Sequence, residues 1–416
     1  MLTDRIALDA AYGIILLLTA CAATGIVVCT LQTFLTVRLF RSRPRRVCPA
    51  DAPPAQSPLI SILKPVSGLE DSLRENLESF ARLRGVRYEL IISIADDDDP
   101  AIGVVKPALE AFPKGVARLI VGRGRRTANP KIERLIAAAA VARGDIFFIS
   151  DSNVRVSPDD IARTVSEFND PNVGCVSNIF IGEGARTLGA LVESLYLLIF
   201  VVPGNVLAAW AEVPCVVGKS MALTRRLCEK LGGFEAFGQM LAEDQSIAVA
   251  TKEAGYKVAL SPIVVRNVIE KRSVRQAIQR QVRWGKLRFS FSKLVYSSEF
   301  LVNPFPMALL ACMTSRLFVP RYFAALVAGT IFAFAHRLIQ STLLMYSSRT
   351  SITKLALILV PLQDLIQFAS QVVPYVSKEV NWRGFRTRLG PNSLILAAAD
   401  NPGLSREYAP SVLSST

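Results

Sequence analysis

A chain of 416 residues with 51% hydrophobic content exceeds a single small domain and can bury a large core. Its net charge of +14 would suit nucleic acid, but no DNA- or RNA-binding motif and no aromatic stacking signature accompanies it, so a membrane surface is the better partner. Seven cysteines without a CxxC pair and one histidine, His336, argue against a zinc site and fit reduced thiols in the cytoplasm.

From Ala10 to Val37 there is no charged residue, a stretch long enough to cross a bilayer. It is longer than the apolar core of a signal peptide and lacks a clear small-residue cleavage site, so it reads as a retained anchor. The basic run "VRLFRSRPRR", with Arg38, Arg41, Arg43, Arg45 and Arg46, sets that flank on the cytoplasmic side and favours anionic headgroups. "CPADAPPAQSP", from Cys48 to Pro58, is a linker by composition.

Strand and helix patterns then alternate. "LISILKP" at 59–65, "YELIISIADDDD" at 88–99, "ARLIVG" at 117–122 and "DIFFISD" at 145–151 read as strands. Helical patterns at 70–83, 102–112 and 131–142 separate them. Such alternation predicts βαβ units and a mostly parallel sheet covered by helices. Leu188 to Val213 is strongly apolar but carries Glu193, Pro203 and Gly204. It is either a core helix pair or a surface dipping into the bilayer, and the density of apolar residues favours the second. From Leu301 onward the chain is membrane-like again, with apolar stretches at 305–318, 322–334 and 352–376, the last broken by Pro361 and Asp364. The number of crossings stays open. A polar tail beginning "NWRGFRTRLGP" after Val380 is expected to face the cytoplasm.

Two apolar strands end in acids. "IISIA" runs into Asp96-Asp97-Asp98-Asp99, and "IFFIS" runs into Asp151, followed by Ser152 and Asn153. Ligands of open α/β sheets bind outside the carboxyl ends of the strands. One strand-terminal aspartate is ordinarily a turn residue, but two in one array weaken that reading. A third pair, Glu243-Asp244, opens an amphipathic helix, where compensation of the helix dipole is the plainer account. Between 273 and 291, Val274, Ile278, Val282 and Phe289 form one stripe, and Arg280, Arg283, Trp284 and Leu287 another. That helix either lies on lipid or sets an arginine fork and an indole against a phosphate and a sugar ring.

Three separated aspartates followed by Arg280-Gln281-Val282-Arg283-Trp284 resemble the D,D,D,(Q/R)xxRW signature of membrane-bound GT-A glycosyltransferases. "DDPAI", "NPKI", "ISDSNVRV", "GKSMALTRR", "AEDQSIA" and "RQVRWGKLR" are similar, in order, to elements of the ceramide glucosyltransferase family, glycosyltransferase family 21. The likeness covers roughly Pro58 to Ser292. It implies an α/β fold of GT-A type, Rossmann-like with a mostly parallel sheet. This cytoplasmic domain, over 48–298, would lie between an N-terminal transmembrane anchor with its basic flank, 1–47, and C-terminal membrane helices, 299–380. A cytoplasmic tail, 381–416, would follow.

The resemblance also implies an activity: inverting transfer of glucose from UDP-glucose to the primary hydroxyl of a membrane lipid, ceramide, giving a β-linked product. The cofactor would be Mg²⁺ or Mn²⁺. Asp151 would hold the metal-diphosphate, with Asn153 offering a neutral oxygen where many relatives carry DxD. The nucleotide would sit near "LKPVSG" and the four aspartates, Asp99 matching by its "DDPAI" context and Asp96 by ending the strand. Lys131 would contact base or diphosphate, or simply begin a helix. Asp244 would be the general base. Arg283 and Trp284 would hold diphosphate, sugar or acceptor headgroup, with Arg280 the weakest member of that trio. The residues alone do not separate glucose from galactose or N-acetylglucosamine, nor ceramide from diacylglycerol or a hopanoid. A basic membrane scaffold with structural acids is the reading outside enzymes. The membrane would be a bacterial inner membrane or one of Golgi type.

Overall fold

The computed structural model describes residues 2–42, 57–122, 127–382 and 385–396. Arg43, Arg45 and Arg46 of the basic flank, the linker up to residue 56, and the tail beyond residue 396 lie outside the described residues.

Helix α1 (Leu2–Arg41) is followed by alternating strands and helices: β1 (Leu59–Pro65), α2 (Leu73–Glu78), β2 (Arg87–Ile94), α3 (Ile102–Ala108), β3 (Ala117–Val121), α4 (Pro130–Val141) and β4 (Ile146–Ser150). β1 pairs in parallel with both β2 and β4, and β2 with β3. β4 is built from β-branched and aromatic residues and is buried throughout. Its alternation divides it between two cores. Ile146 and Phe148 enter one cluster, Phe147 and Ile149 the other, because helices cover both faces of the sheet. Pro130 at the first position of α4, preceded by an Asn129 side chain accepting from the Lys131 amide at 2.9 Å, fixes where that helix starts.

The second half of the sheet is mixed. β5 (Val154–Arg155), α5 (Asp160–Val165), β6 (Val173–Glu183), α6 (Leu188–Tyr196), α7 (Val202–Trp210), β7 (Ser220–Thr224), α8 (Arg225–Lys230), α9 (Glu243–Glu253) and β8 (Lys257–Val268) complete it. The strand order is β3-β2-β1-β4-β7-β6-β8-β5. β7 lies antiparallel to both β4 and β6, and β6 runs parallel to β8.

The apolar block of Leu188 to Val213 is largely internal. A π turn at Leu197–Val201 joins α6 to α7, and most of this rod is buried inside the protein against β6 and residues 344–360. Its apolar density serves a core contact along most of its length, as in the first of the two readings, while Leu188, Trp210 and Val213 at its ends stay exposed.

α10 (Val274–Phe291) opens with a capping box between Ser273 and Gln276. α11 (Lys293–Ser298), α12 (Pro304–Phe318), α13 (Phe323–Ser348) and α14 (Val360–Val376) follow. Among the described residues, four helical segments are long and apolar enough to cross a membrane: Arg5–Arg41, Leu188–Trp210, Pro320–Ser348 and Lys354–Val376. The segments Lys293–Val302 and Pro304–Phe318 form a pair bent by 74°. α1 packs along α12 and α13. Between α13 and α14, Arg337 and Asp364 make a buried two-pronged ion pair, Nε to Oδ2 at 2.8 Å and Nη2 to Oδ1 at 2.6 Å. The chain then forms an antiparallel sheet of β9 (Glu379–Trp382), β10 (Phe385–Leu389) and β11 (Ile395–Leu396). The division expected between residues 380 and 381 thus falls inside a strand.

Candidate active site

The carboxyl ends of β1 and β4, the start of β7, the first turns of α4 and α9 and one face of α10 surround a cleft of about 520 Å³. Asp151 sits where β4 ends. Its amide donates to the Lys219 carbonyl at 3.1 Å, and the Lys64 Nζ donates to its own carbonyl at 2.8 Å and to Ser150 Oγ at 3.2 Å. Lys64 is wholly buried, and burial pushes its ammonium down to about 7 against the opposing pull of Asp151. This lysine fixes the turn that presents the carboxylate.

Two further ammoniums reach the Asp151 side chain. Lys131 Nζ lies 2.9 Å from Oδ1, and Lys219 Nζ lies 3.5 Å from Oδ2 and 3.1 Å from the Asn153 Oδ1. Burial pushes Lys219 down to about 8, with Asp151 opposing. Lys131 also contacts Glu243 Oε1 at 2.9 Å and donates to the Gly218 carbonyl at 3.2 Å. Burial disfavours its charge, yet Asp151, Glu243 and Asp244 together hold its affinity for a proton above the usual lysine range. Lys131 therefore joins the acid of β4 to the acids of α9.

Asp244 occupies the second position of α9. Its carboxylate accepts from the Gly218 amide at 2.5 Å and the Gln245 amide at 2.8 Å. Burial, then the adjacent Glu243, pushes it up to about 6, against the pull of Lys131. A Cβ at Gly218 would lie 2.9 Å from the Asp244 Cβ and 3.0 Å from the Lys131 Nζ, so glycine is required where these groups converge. Asn129 Nδ2 holds Glu243 Oε2 at 3.1 Å.

Arg280, Arg283 and Trp284 line the same cleft from α10. Arg280 is anchored by Glu193 of α6, Nε to Oε1 at 2.8 Å, and its guanidinium lies 5.8 Å from the Trp284 ring. Arg272 takes the other Glu193 oxygen at 2.7 Å. Trp284 packs its indole against Phe180 and Tyr196, with ring centroids 6.2 and 6.1 Å away.

Asp151, Asn153, Lys131, Asp244, Arg280, Arg283 and Trp284 thus meet, whereas Asp96 and Asp99 do not line this cleft. Asp96 is exposed. The Asp99 carboxylate accepts from the amides of Gly68, at 2.9 and 3.1 Å, and Ala101, at 2.8 Å, tying the loops after β1 and β2 together. Sequence reasoning passed over Lys64, Lys219 and Gly218. The last two sit in the quoted "GKSMALTRR", so the segment was visible, while the ammonium contacts depend on folding.

Among the described residues no cluster of three or more His, Cys, Asp or Glu side chains is placed to hold a metal. Asp151 and Asn153 offer two hard oxygens. That set fits a divalent cation carried on a substrate diphosphate, which needs only one or two protein carboxylates.

A solved structure of similar architecture is "Mannosyltransferase PcManGT from Pyrobaculum calidifontis in complex with GDP-Man and Mn2+", with a TM-score of 0.52 and 19% identity, covering 88% of this chain and 99% of that one. The sheet and its flanking helices are a GT-A glycosyltransferase fold. The profile of glycosyl transferase family 21 matches residues 17–395, and the chain belongs to that family. Its relatives include ceramide glucosyltransferase 3 of Caenorhabditis elegans, 28% identical over 61% of this chain and 55% of the relative. A ceramide glucosyltransferase of Pyricularia oryzae is 24% identical over 70% of this chain and 69% of the relative. The chain spans about half the length of the nematode relatives it matches.

Proposed function

We propose that this chain is an inverting hexosyltransferase that moves glucose from UDP-glucose to the primary hydroxyl of ceramide or a lipid of similar headgroup. The observation that carries the reading is the convergence of Asp151 and Asp244 on one cleft, joined through Lys131. The names of the family 21 relatives support the donor sugar and the lipid class.

Transfer breaks the bond from the anomeric carbon to the diphosphate as the acceptor oxygen bonds to that carbon from the opposite side. The acceptor's proton goes to Asp244, and UDP leaves with the bonding pair, which gives a β-linked product from an α-linked donor. Lys131 and Lys219 both contact Asp151, so their ammoniums would neutralise a diphosphate leaving group bound beside that carboxylate. Asp151 and Asn153 would hold Mg²⁺ or Mn²⁺, which supplies further neutralisation when bound; the Mn²⁺ of the mannosyltransferase complex supports this. The nucleoside is assigned to the edge where β1 and β2 end, near Asp96 and the loop tied by Asp99. Trp284 and Leu287 give the cleft an apolar wall for the acceptor, and Arg283 and Arg280 flank it. The basic last turn of α1, with Arg38 and Arg41, supports a cytoplasmic catalytic face.

The test is incubation of membranes holding the full chain with UDP-sugars and a panel of ceramide, diacylglycerol and hopanoid acceptors, followed by mass spectrometry. Ceramide hexoside formed from UDP-glucose is expected. Product on another lipid or from UDP-galactose or UDP-GlcNAc would reassign the substrates. No sugar-dependent product from any lipid, with Mg²⁺ or Mn²⁺ present, would leave a basic scaffold as the reading.

A further inference from the structure

The loop that delivers Asp244 is held by a part of the chain that lies beyond the last membrane-like helix. α9 begins at Glu243, and its N-cap residue, Ala242, has no side chain able to accept a hydrogen bond. The segment that leads into the helix is instead held from far along the chain. The Ala242 amide donates to Ser393 Oγ at 3.0 Å, and the Leu241 amide donates to the Ser393 carbonyl at 3.0 Å. Ser393 is wholly buried.

The contact is wider than one residue. Ile395 N donates to the Gln239 carbonyl at 2.9 Å, and Met240 and Leu394 form an antiparallel bridge. Leu241 packs with Val380 and Leu389, so the small sheet β9–β11 closes over the loop. Asn392 and Ser393 both have left-handed backbones, φ 51° and 62°, although neither is glycine. Such conformations persist where surrounding contacts over-determine them. Asn381 of the same sheet lines the cleft itself. On its other side the loop is tied by Asn129, whose Nδ2 donates to the Met240 carbonyl at 2.7 Å.

We infer that Ser393 is a positioning residue for Asp244: it holds the amides of the two residues before α9 and sets the angle at which the carboxylate enters the cleft. The strap of residues 379–396 thereby completes the site from outside the GT-A sheet. This inference rests on the reading of Asp244 as the general base. Lys219 and Asp151 sit on other elements, and Lys131 is held by Asp151 as well as by Glu243 of α9, so loosening the strap should disturb proton removal more than donor binding.

The experiment compares the full chain with Ser393→Gly and Ser393→Ala, in lipid nanodiscs, by hydrogen exchange and by steady-state kinetics across pH. Glycine accepts the left-handed backbone and keeps the main-chain bond, so it isolates the hydroxyl. Exchange across residues 241–247 is expected to rise roughly 3- to 30-fold in both variants, with β4 unchanged. kcat should fall roughly tenfold while the KM for the UDP-sugar moves less than about twofold, and the acid limb of the kcat profile should shift. Unchanged exchange at α9, or exchange that rises equally throughout the sheet, overturns the inference. So does a Ser393→Gly enzyme with wild-type kcat and pH profile. The exchange arm needs no turnover, so a wild-type chain that transfers no sugar counts against the proposed function and not against the strap.

Discussion

At the scale of single residues, the site is an alternation of charges in which the carboxylate oxygens of Asp151, Glu193, Glu243 and Asp244 each have a nearby amide, ammonium or guanidinium. Asp151→Asn keeps the shape of the turn while removing the charge, so turnover should fall by roughly 100-fold or more with the fold retained, read by product formation beside circular dichroism. Gly218→Ala would press a methyl group against Asp244 and Lys131. We expect kcat to fall at least tenfold, a transition-state loss of about 1.4 kcal/mol or more, with little change in melting temperature. The raised proton affinity of Asp244, pushed up to about 6 by burial, gives a pH signature. A base works deprotonated, so kcat/KM should decline about tenfold per pH unit as pH falls through and below 6, where an exposed aspartate would still be ionised. A profile flat from pH 7 to 4.5 would remove Asp244 from that role. The lysines were the least legible part of the site. Lys131 is marked by its "NPKI" context, and Lys64 and Lys219 lie in the quoted "LKPVSG" and "GKSMALTRR", but both act through partners brought close only by folding.

At the scale of elements, legibility followed how far each element depends on its own periodicity. β1, β2 and β4 are fully buried or nearly so and β3 is half-buried at the sheet edge; their apolar runs mark all four, although β2 stops at Ile94 where the expected strand runs on through the four aspartates. The helix read over 70–83 is shorter, α2 covering Leu73–Glu78 before a 3₁₀ turn at Ser79–Arg82. β6, β7 and β8 were not read as strands. β7 is five residues long and lies antiparallel between β4 and β6, so no βα alternation announces it. β8 carries Pro262 in a register irregularity against β6. The tail after Val380 reads as polar, but its short strands pair with one another, and Ser393, Leu394 and Ile395 reach the loop before α9, a long-range contact that composition does not encode. The mount for Asp151 offers a stability test. Phe148 is wholly buried at the centre of β4, and Phe148→Ala should cost about 3–5 kcal/mol, measured by thermal or denaturant unfolding.

For the whole molecule, the candidate cleft and the membrane-like helices are joined by shared side chains. Glu193 of the apolar rod α6 anchors both Arg272 and Arg280, so the helix that walls the cleft is fastened to the block that packs beneath it. Gln281 of α10 and Gln363 of α14 lie within 3.3 Å of each other, both buried. Removing one partner of the buried pair between α13 and α14 would strand the other. Asp364→Ala should therefore destabilise the chain by about 3–5 kcal/mol, while Arg337→Met with Asp364→Leu should recover most of that loss, both followed by melting in detergent. The same pair bears on how the chain is assembled. A lone arginine or aspartate at the centre of an apolar helix resists entry into hydrocarbon by about 2.5–3.5 kcal/mol. α13 and α14 each carry one of these opposite charges, so neither helix is at ease in lipid until it meets the other. Their insertion should proceed as a hairpin, with the guanidinium and carboxylate already in contact before the strap that follows can reach its loop.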